Sequence, residues 1–171
     1  MLEKHREASP KKVAAAVITV SDTRNEQTDK SGRLMKEMLR EQEHQVIEYK
    51  IVPDQVEEIQ STVTSFLDDS RIEAILINGG TGIAKRDVTI ESLELVFDKG
   101  IPGFGELFRM LSYQHDIGSA SMLSRAVAGV SSGRVIFATP GSSGAVKLAM
   151  EKLILPELGH TVMELAKDLE K

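Results

Sequence analysis

Three glycines fall within four residues at Gly79-Gly80-Thr81-Gly82, directly after an apolar stretch at 74–77 and just before Lys85-Arg86-Asp87. Glycine takes positive φ without penalty, so such a loop brings its backbone N–H groups close to an anion. With Thr81, Lys85 and Arg86 alongside, the loop is expected to cradle phosphate; the alternative is an ordinary glycine turn between a strand and a helix. Its spacing is not that of a G-x-x-x-x-G-K-[ST] loop, and the dinucleotide pattern G-x-G-x-x-G fails at Lys85. A second loop, Pro140-Gly141-Ser142-Ser143-Gly144, precedes another helical segment that carries Lys147. Helix-start N–H groups and serine hydroxyls there suit a negative charge, although Ser142 or Ser143 as a plain N-cap explains the loop equally well. No G-x-S-x-G elbow is present, so no serine nucleophile is expected.

A phosphorylated nucleotide brings Mg²⁺, which one or two carboxylates usually hold together with water. Asp22, Asp54 and Asp87 each follow an apolar strand-length stretch. Asp22 can alternatively cap the loop before Thr23. Asp54 heads a helical pattern, and Glu57 three positions on completes a capping box, so a structural cap and a metal ligand are equal readings. Asp87 lies between a cation pair and a helix start that Thr89 can cap, which leaves its charge for a ligand.

Other chemistry is excluded. The chain has no cysteine, hence no disulfide, thiol nucleophile or thiolate metal site. His5, His44, His115 and His160 are far apart and show no ligand spacing, so no transition metal is expected. A net charge of −5, five Phe, two Tyr and no Trp argue against nucleic-acid binding. A membrane helix needs about 20 apolar residues. The best run, 13–20, is interrupted at Thr19. No membrane span and a cytoplasmic location are therefore expected.

Short Val- and Ile-rich stretches at 13–20, 46–52, 74–77 and 134–139 have strand length. Between and after them apolar residues recur at helical spacing. Leu34, Met35, Met38 and Leu39 form one set; Val56, Ile59, Val63, Phe66 and Leu67 the next; then Leu93, Val96 and Phe97; and Phe104, Leu107, Phe108 and Leu111. The last long pattern carries Val146, Met150, Leu153 and Ile154, reaches Pro156, and is followed by a short tail helix near Met163 and Ala166. These residues are read as core. The run 103–111 is apolar enough to be core or subunit interface. Strands alternating with helices predict an α/β chain: a three-layer α/β/α sandwich on a mostly parallel sheet. A β-hairpin is expected to add strand 126–130 to strand 134–139 through Ser131-Ser132-Gly133. Residues 1–12 are read as a flexible arm and 13–171 as a single domain, which at 171 residues needs no staples.

Taken in order, Ser21-Asp22, Gly79-Gly80-Thr81-Gly82, Arg86-Asp87-Val88-Thr89, Ser124-Arg125 with Ala128-Gly129, and Pro140-Gly141-Ser142 resemble the MoaB/Mog family of molybdenum-cofactor biosynthesis. The likeness spans about 12–165, and 104–112 with 124–129 resemble the MoaB branch more than the Mog branch. It implies a molybdopterin-binding-like three-layer fold, a homotrimer or trimer-based hexamer, and a molybdopterin pocket beside one for MgATP. The implied reaction is adenylyl transfer from ATP to the molybdopterin phosphate, with metal inserted later by a partner protein. The implied alternative is a carrier that binds molybdopterin or its precursor without turnover. Position by position, the likeness makes Asp54 and Asp87 the functional, Mg²⁺-positioning aspartates and 79–82 the glycine loop. Ser124-Arg125 becomes a pterin-side element and Pro140-Gly141-Ser142 a phosphate-side loop. Asp22 joins the site, and Lys85, Arg86 and Arg125 offset phosphate charge. Thr23, Ile90 and Ser142-Ser143 depart from Mog-type sequences.

Overall fold

The computed structural model describes residues 7, 9, 10 and 12–167. Six strands form one sheet: β1 (Ala14–Val20), β2 (Gln45–Val52), β3 (Ala74–Asn78), β4 (Lys99–Gly100), β5 (Val127–Ser131) and β6 (Arg134–Thr139), in the order β2-β1-β3-β6-β5-β4. The first four strands in that order are parallel; β5 is antiparallel to both β6 and β4. The helices are α1 (Lys30–Glu41), α2 (Val56–Asp68), α3 (Thr89–Glu94), α4 (Pro102–His115), α5 (Ser143–Ala149) and α6 (Leu155–Ala166), with a 3₁₀ turn at Gly118–Leu123.

All five residues of β3 are buried, so its side chains alternate between two dry faces. Ala74 and Leu76 join Met35 and Leu39 of α1, Phe104 and Phe108 of α4, and Val146 of α5. Ile75 and Ile77 join Ile59, Val63 and Phe66 of α2 and Leu93 of α3. The sheet is thus sandwiched as the strand and helix rhythm predicts. Burying each Ile or Leu contributes roughly 1.5–3 kcal/mol.

The hairpin forms one residue later than expected. Ser131 pairs with Arg134, leaving a two-residue turn in which Ser132 and Gly133 both have positive φ, 49° and 72°; such turns match the strands' own twist. The two-residue β4 and the 3₁₀ turn have no counterpart in the sequence reading, being too short to develop a period. The final helix does not stop at Pro156. A π turn, Met150–Ile154, joins α5 to α6, and the N–H of Leu155 donates to the Met150 carbonyl. Proline has no N–H and its ring crowds the carbonyl four residues back, so a widened turn before it lets the rod continue. Most of the expected 1–12 arm lies outside the described residues. Pro10 rests on α6, its carbonyl oxygen 2.3 Å from where a Cβ on Gly159 would stand.

Candidate active site

The parallel strands end at one edge of the sheet, where open α/β folds collect ligands. The loops leaving β1, β2, β3 and β6 there enclose an open cleft of about 400 Å³. Asp54, Gly79, Gly80, Thr81, Gly82, Asp87, Ser124, Arg125, Pro140 and Gly141 line it, so most of the sequence-predicted site comes together. A neighbouring apolar hollow of about 440 Å³ opens between α3, α4 and β5, and Arg125 lines both.

The glycine loop is built for close approach. Gly79 and Gly80 have φ of 94° and 66°, and a Cβ on Gly80 would stand 2.2 Å from Thr89 Oγ1 and 2.7 Å from Asp54 Oδ1. Its carbonyls are all engaged. The Thr89 hydroxyl donates to the Gly79 carbonyl (2.9 Å) and the Thr89 N–H to that of Gly80 (3.0 Å). Arg125 Nε donates to the Thr81 carbonyl (3.0 Å) and Nη2 to that of Gly82 (2.8 Å). Among the described residues, the N–H groups of Gly80, Thr81 and Gly82 have no hydrogen-bond acceptor.

Neither aspartate is a helix cap. The N-cap of α2 is Gln55, with no side-chain capping bond, so the capping-box alternative for Asp54 fails: the helix starts one residue too late for Asp54 to reach its N–H groups. Thr89 does not cap α3 either. It is the first helical residue, and its hydroxyl is spent on the glycine loop. The Asp87 carboxylate accepts from the Ala84 N–H (3.1 Å) and lies against Gly82, where a Cβ would meet it at 2.6 Å. Burial, and then the like charge of Asp87, hold the Asp54 carboxyl above its ordinary pKa.

Asp22 stands just outside the cleft. Its Oδ1 accepts from the Asp54 N–H (3.0 Å), and its carboxylate pairs with Arg86. It is a loop brace rather than a cap before Thr23. Ser142 is the N-cap of α5, accepting from the Ala145 N–H (3.2 Å). Lys85 lines an adjoining hollow with Ile83, Val88 and Glu91 that shares Asp87 and Arg125 with the cleft, and it is not itself among the cleft residues. Arg125 is bound to the loop carbonyls and to Glu91, whose carboxyl it holds below its ordinary pKa.

Sequence reasoning missed Arg24, Asp29 and Ser31. Arg24 lines the cleft, one position after Thr23. Asp29 is the wholly buried N-cap of α1, accepting from the Gly32 N–H (3.0 Å), the Thr19 hydroxyl (2.6 Å) and the Tyr49 hydroxyl (2.5 Å). The signal was an Asp three residues ahead of the Gly32 N–H, just before a helical pattern.

Residues 16–160 match the family model described as a probable molybdopterin binding domain. The chain is 54% identical over 167 residues to molybdenum cofactor biosynthesis protein B of Bacillus subtilis, covering 98% of each chain. It belongs to the MoaB family of molybdenum cofactor biosynthesis proteins. A crystal structure of a molybdenum cofactor biosynthesis protein B superposes with a TM-score of 0.91 at 55% identity, covering 93% of this chain and 99% of that one. The tungsten cofactor synthesizing protein MoaB of Pyrococcus furiosus does so at 0.82 and 39%, covering 92% and 99%. The six-stranded sheet between two helical layers is therefore the MoaB fold. No helix among the described residues is long and apolar enough to cross a membrane.

Proposed function

We propose that this chain transfers an adenylyl group from MgATP to the terminal phosphate of molybdopterin, releasing pyrophosphate. Membership of the MoaB family supplies the pathway. The observation that carries the chemistry is the convergence of Asp54 and Asp87 on the glycine loop, with neither carboxylate used as a helix cap.

A partly buried carboxylate whose pKa is raised by burial and then by a second carboxylate beside it suits a small hard cation. Among the described residues no three His, Asp or Glu side chains gather as a metal cage, so an ion here would keep water and phosphate oxygens as its other ligands, the usual habit of Mg²⁺. When bound it would supply positive charge to a triphosphate whose Pα–O–Pβ bond is to break. The chain's own residues do the rest. Thr89 and Arg125 hold the loop carbonyls, leaving the N–H groups of Gly80, Thr81 and Gly82 for phosphoryl oxygens. The nucleophile is a phosphate oxygen, already ionised, so no general base is required. The hollow beside Arg125 has room and apolar walls for a flat ring system. A cytoplasmic location, a homotrimer or trimer-based hexamer and a metal-inserting partner for the product belong to the same proposal.

The test incubates the purified protein with molybdopterin, ATP and Mg²⁺ and looks for adenylylated pterin by mass, with Asp87→Asn as control. Product from the wild type, reduced roughly 100-fold or more in the variant, is expected. Bound but unaltered pterin would make the protein a carrier instead.

A further inference from the structure

The cations that the sequence places near the cleft are largely committed elsewhere. Arg86 pairs with Asp22, Arg125 lines the cleft but is bound to Glu91 and loop carbonyls, and Lys85 lines an adjoining hollow rather than the cleft itself. Arg24 occupies the place they leave. Its Nη2 donates to the Gly141 carbonyl (2.9 Å) and its Nη1 to Ser31 Oγ (2.5 Å). A Cβ on Gly141 would lie 3.0 Å from Gly79 Cα and 3.6 Å from Arg24 Nη1. The guanidinium therefore sits where the β3 and β6 loops meet. Its side chain is 32% exposed, and a guanidinium has five N–H donors, so N–H groups remain beyond those turned to Ser31, Gly141 and Asp29.

What stands behind Arg24 is unusual for a fold core. Asp29, Thr19 and Asn78 are wholly buried and Ser31 nearly so. Ser31 Oγ donates to Asn78 Oδ1 (2.8 Å), Asn78 Nδ2 to Thr19 Oγ1 (3.0 Å), and Thr19 Oγ1 to Asp29 (2.6 Å). Arg24 Nη1 lies 3.5 Å from Asp29 Oδ1. Apolar residues of the same volume would hold α1 against the sheet at no desolvation cost. A buried, fully bonded carboxylate cluster instead fixes one guanidinium in one orientation at the cleft wall.

We propose that Arg24 is the anchored phosphate-binding cation of this cleft, held for that task by the buried cluster of Asp29, Ser31, Thr19 and Asn78. This deepens the adenylyl-transfer reading and rests on it only for the identity of the phosphate-bearing substrates. Either the triphosphate of ATP or the monophosphate of a pterin offers the oxygens a guanidinium recognises through two N–H groups.

The test is equilibrium binding by calorimetry on the full chain, with ATP and inorganic phosphate titrated separately into wild type, Arg24→Gln and Arg24→Lys. Binding needs no turnover, so a failed adenylyl-transfer assay leaves this result standing, and the reverse. Arg24→Gln is expected to weaken ATP, phosphate or both by about 10-fold or more, the size of one charge-assisted contact. Arg24→Lys, which keeps the charge and loses the fork, is expected to fall between. A loss confined to ATP assigns Arg24 to the triphosphate, and one confined to phosphate assigns it to the pterin side. Unchanged affinity for both in a folded Arg24→Gln, or no binding of either by wild type, overturns the proposal. If Arg24→Gln melts below the assay temperature, Arg24→Lys decides in its place: weakened binding supports the proposal, and full wild-type affinity would make Arg24 a structural strap.

Discussion

Asp54 is placed where ionisation is opposed: partly buried, with Asp87 as a like-charged neighbour and no helix N–H groups to compensate. Its folded-state pKa lies above the ordinary 3.8. The ionised pair therefore costs stability at neutral pH, and the cost is relieved as pH falls through the folded pKa, fully below the unfolded one. Asp54→Asn removes the repulsion without removing a cap, so at pH 7 the variant is expected to melt slightly above the wild type. The difference should shrink toward pH 3, while Mg²⁺-dependent turnover falls roughly 100-fold. Paired melting curves across pH check this; a lower melting point at pH 7 would make Asp54 structural after all. Asp29 has the opposite sign. Burial raises its pKa, yet the bonds from Thr19, Tyr49 and Gly32 and the Arg24 charge outweigh burial and hold it below 3.8. Its contribution is complete above the unfolded value and is lost as pH falls through the folded one. Asp29→Ala removes a cap and takes the acceptor from the buried Thr19 hydroxyl and the half-buried Tyr49 hydroxyl, so a loss of about 3 kcal/mol by denaturant titration is expected, and that loss should diminish in acid.

At the scale of elements, the glycine loop is held by α3 rather than by its own turn chemistry, because Thr89 engages Gly79 and Gly80 at once. Gly80→Ala would force a left-handed φ on a residue with a Cβ and press it against both Thr89 and Asp54. A cost of about 1–3 kcal/mol is expected, with ATP affinity falling further than stability; thermal melts beside calorimetry separate the two. The loop and both aspartates were legible in the sequence because glycines, cations and carboxylates cluster after strand-length apolar runs. The hairpin was legible to within a residue because a short Gly-containing turn separates two strand-length stretches. Asp54's capping box was a false match, since S/T/D-x-x-E describes composition and the start of α2 is set by where Ile59 reaches the core. The joined helix through Pro156 was hidden because proline ends helices by local rules, whereas a π turn answers to packing of Met150 and Ile154 on the sheet. Arg24 was hidden, and Asp29 was legible only as a helix cap, for a different reason. They belong to a cluster whose members come from β1, β2, β3 and α1, and only the sheet brings those together.

At the scale of the molecule, α4 has two faces, which answers the ambiguity of the 103–111 run. Phe104 and Phe108 are core, whereas Leu107, Met110 and Tyr113 are 46%, 48% and 61% exposed. With Ile117, Met122 and Leu123 of the adjoining turn, they make an apolar surface of the kind that marks association. A second copy of the chain would cover it, and a ring closed by one repeated contact would give the trimer of the proposed assembly, which a further contact between trimers would extend to the hexamer. Leu123 also lines the cleft, next to Ser124, so this apolar face and the cleft share a wall. Met110→Glu would bury a charge at every copy of the contact, at several kcal/mol each. Sedimentation is expected to give three or six chains for the wild type and one for the variant, with the Phe108 side of α4 and the monomer's secondary structure unchanged. ATP affinity should then fall several-fold in the dissociated variant, because the wall at Leu123 loses its support. A wild type that sediments as a single chain would leave the face bare and sink the assembly, while dissociation with full ATP affinity would separate the assembly from the cleft.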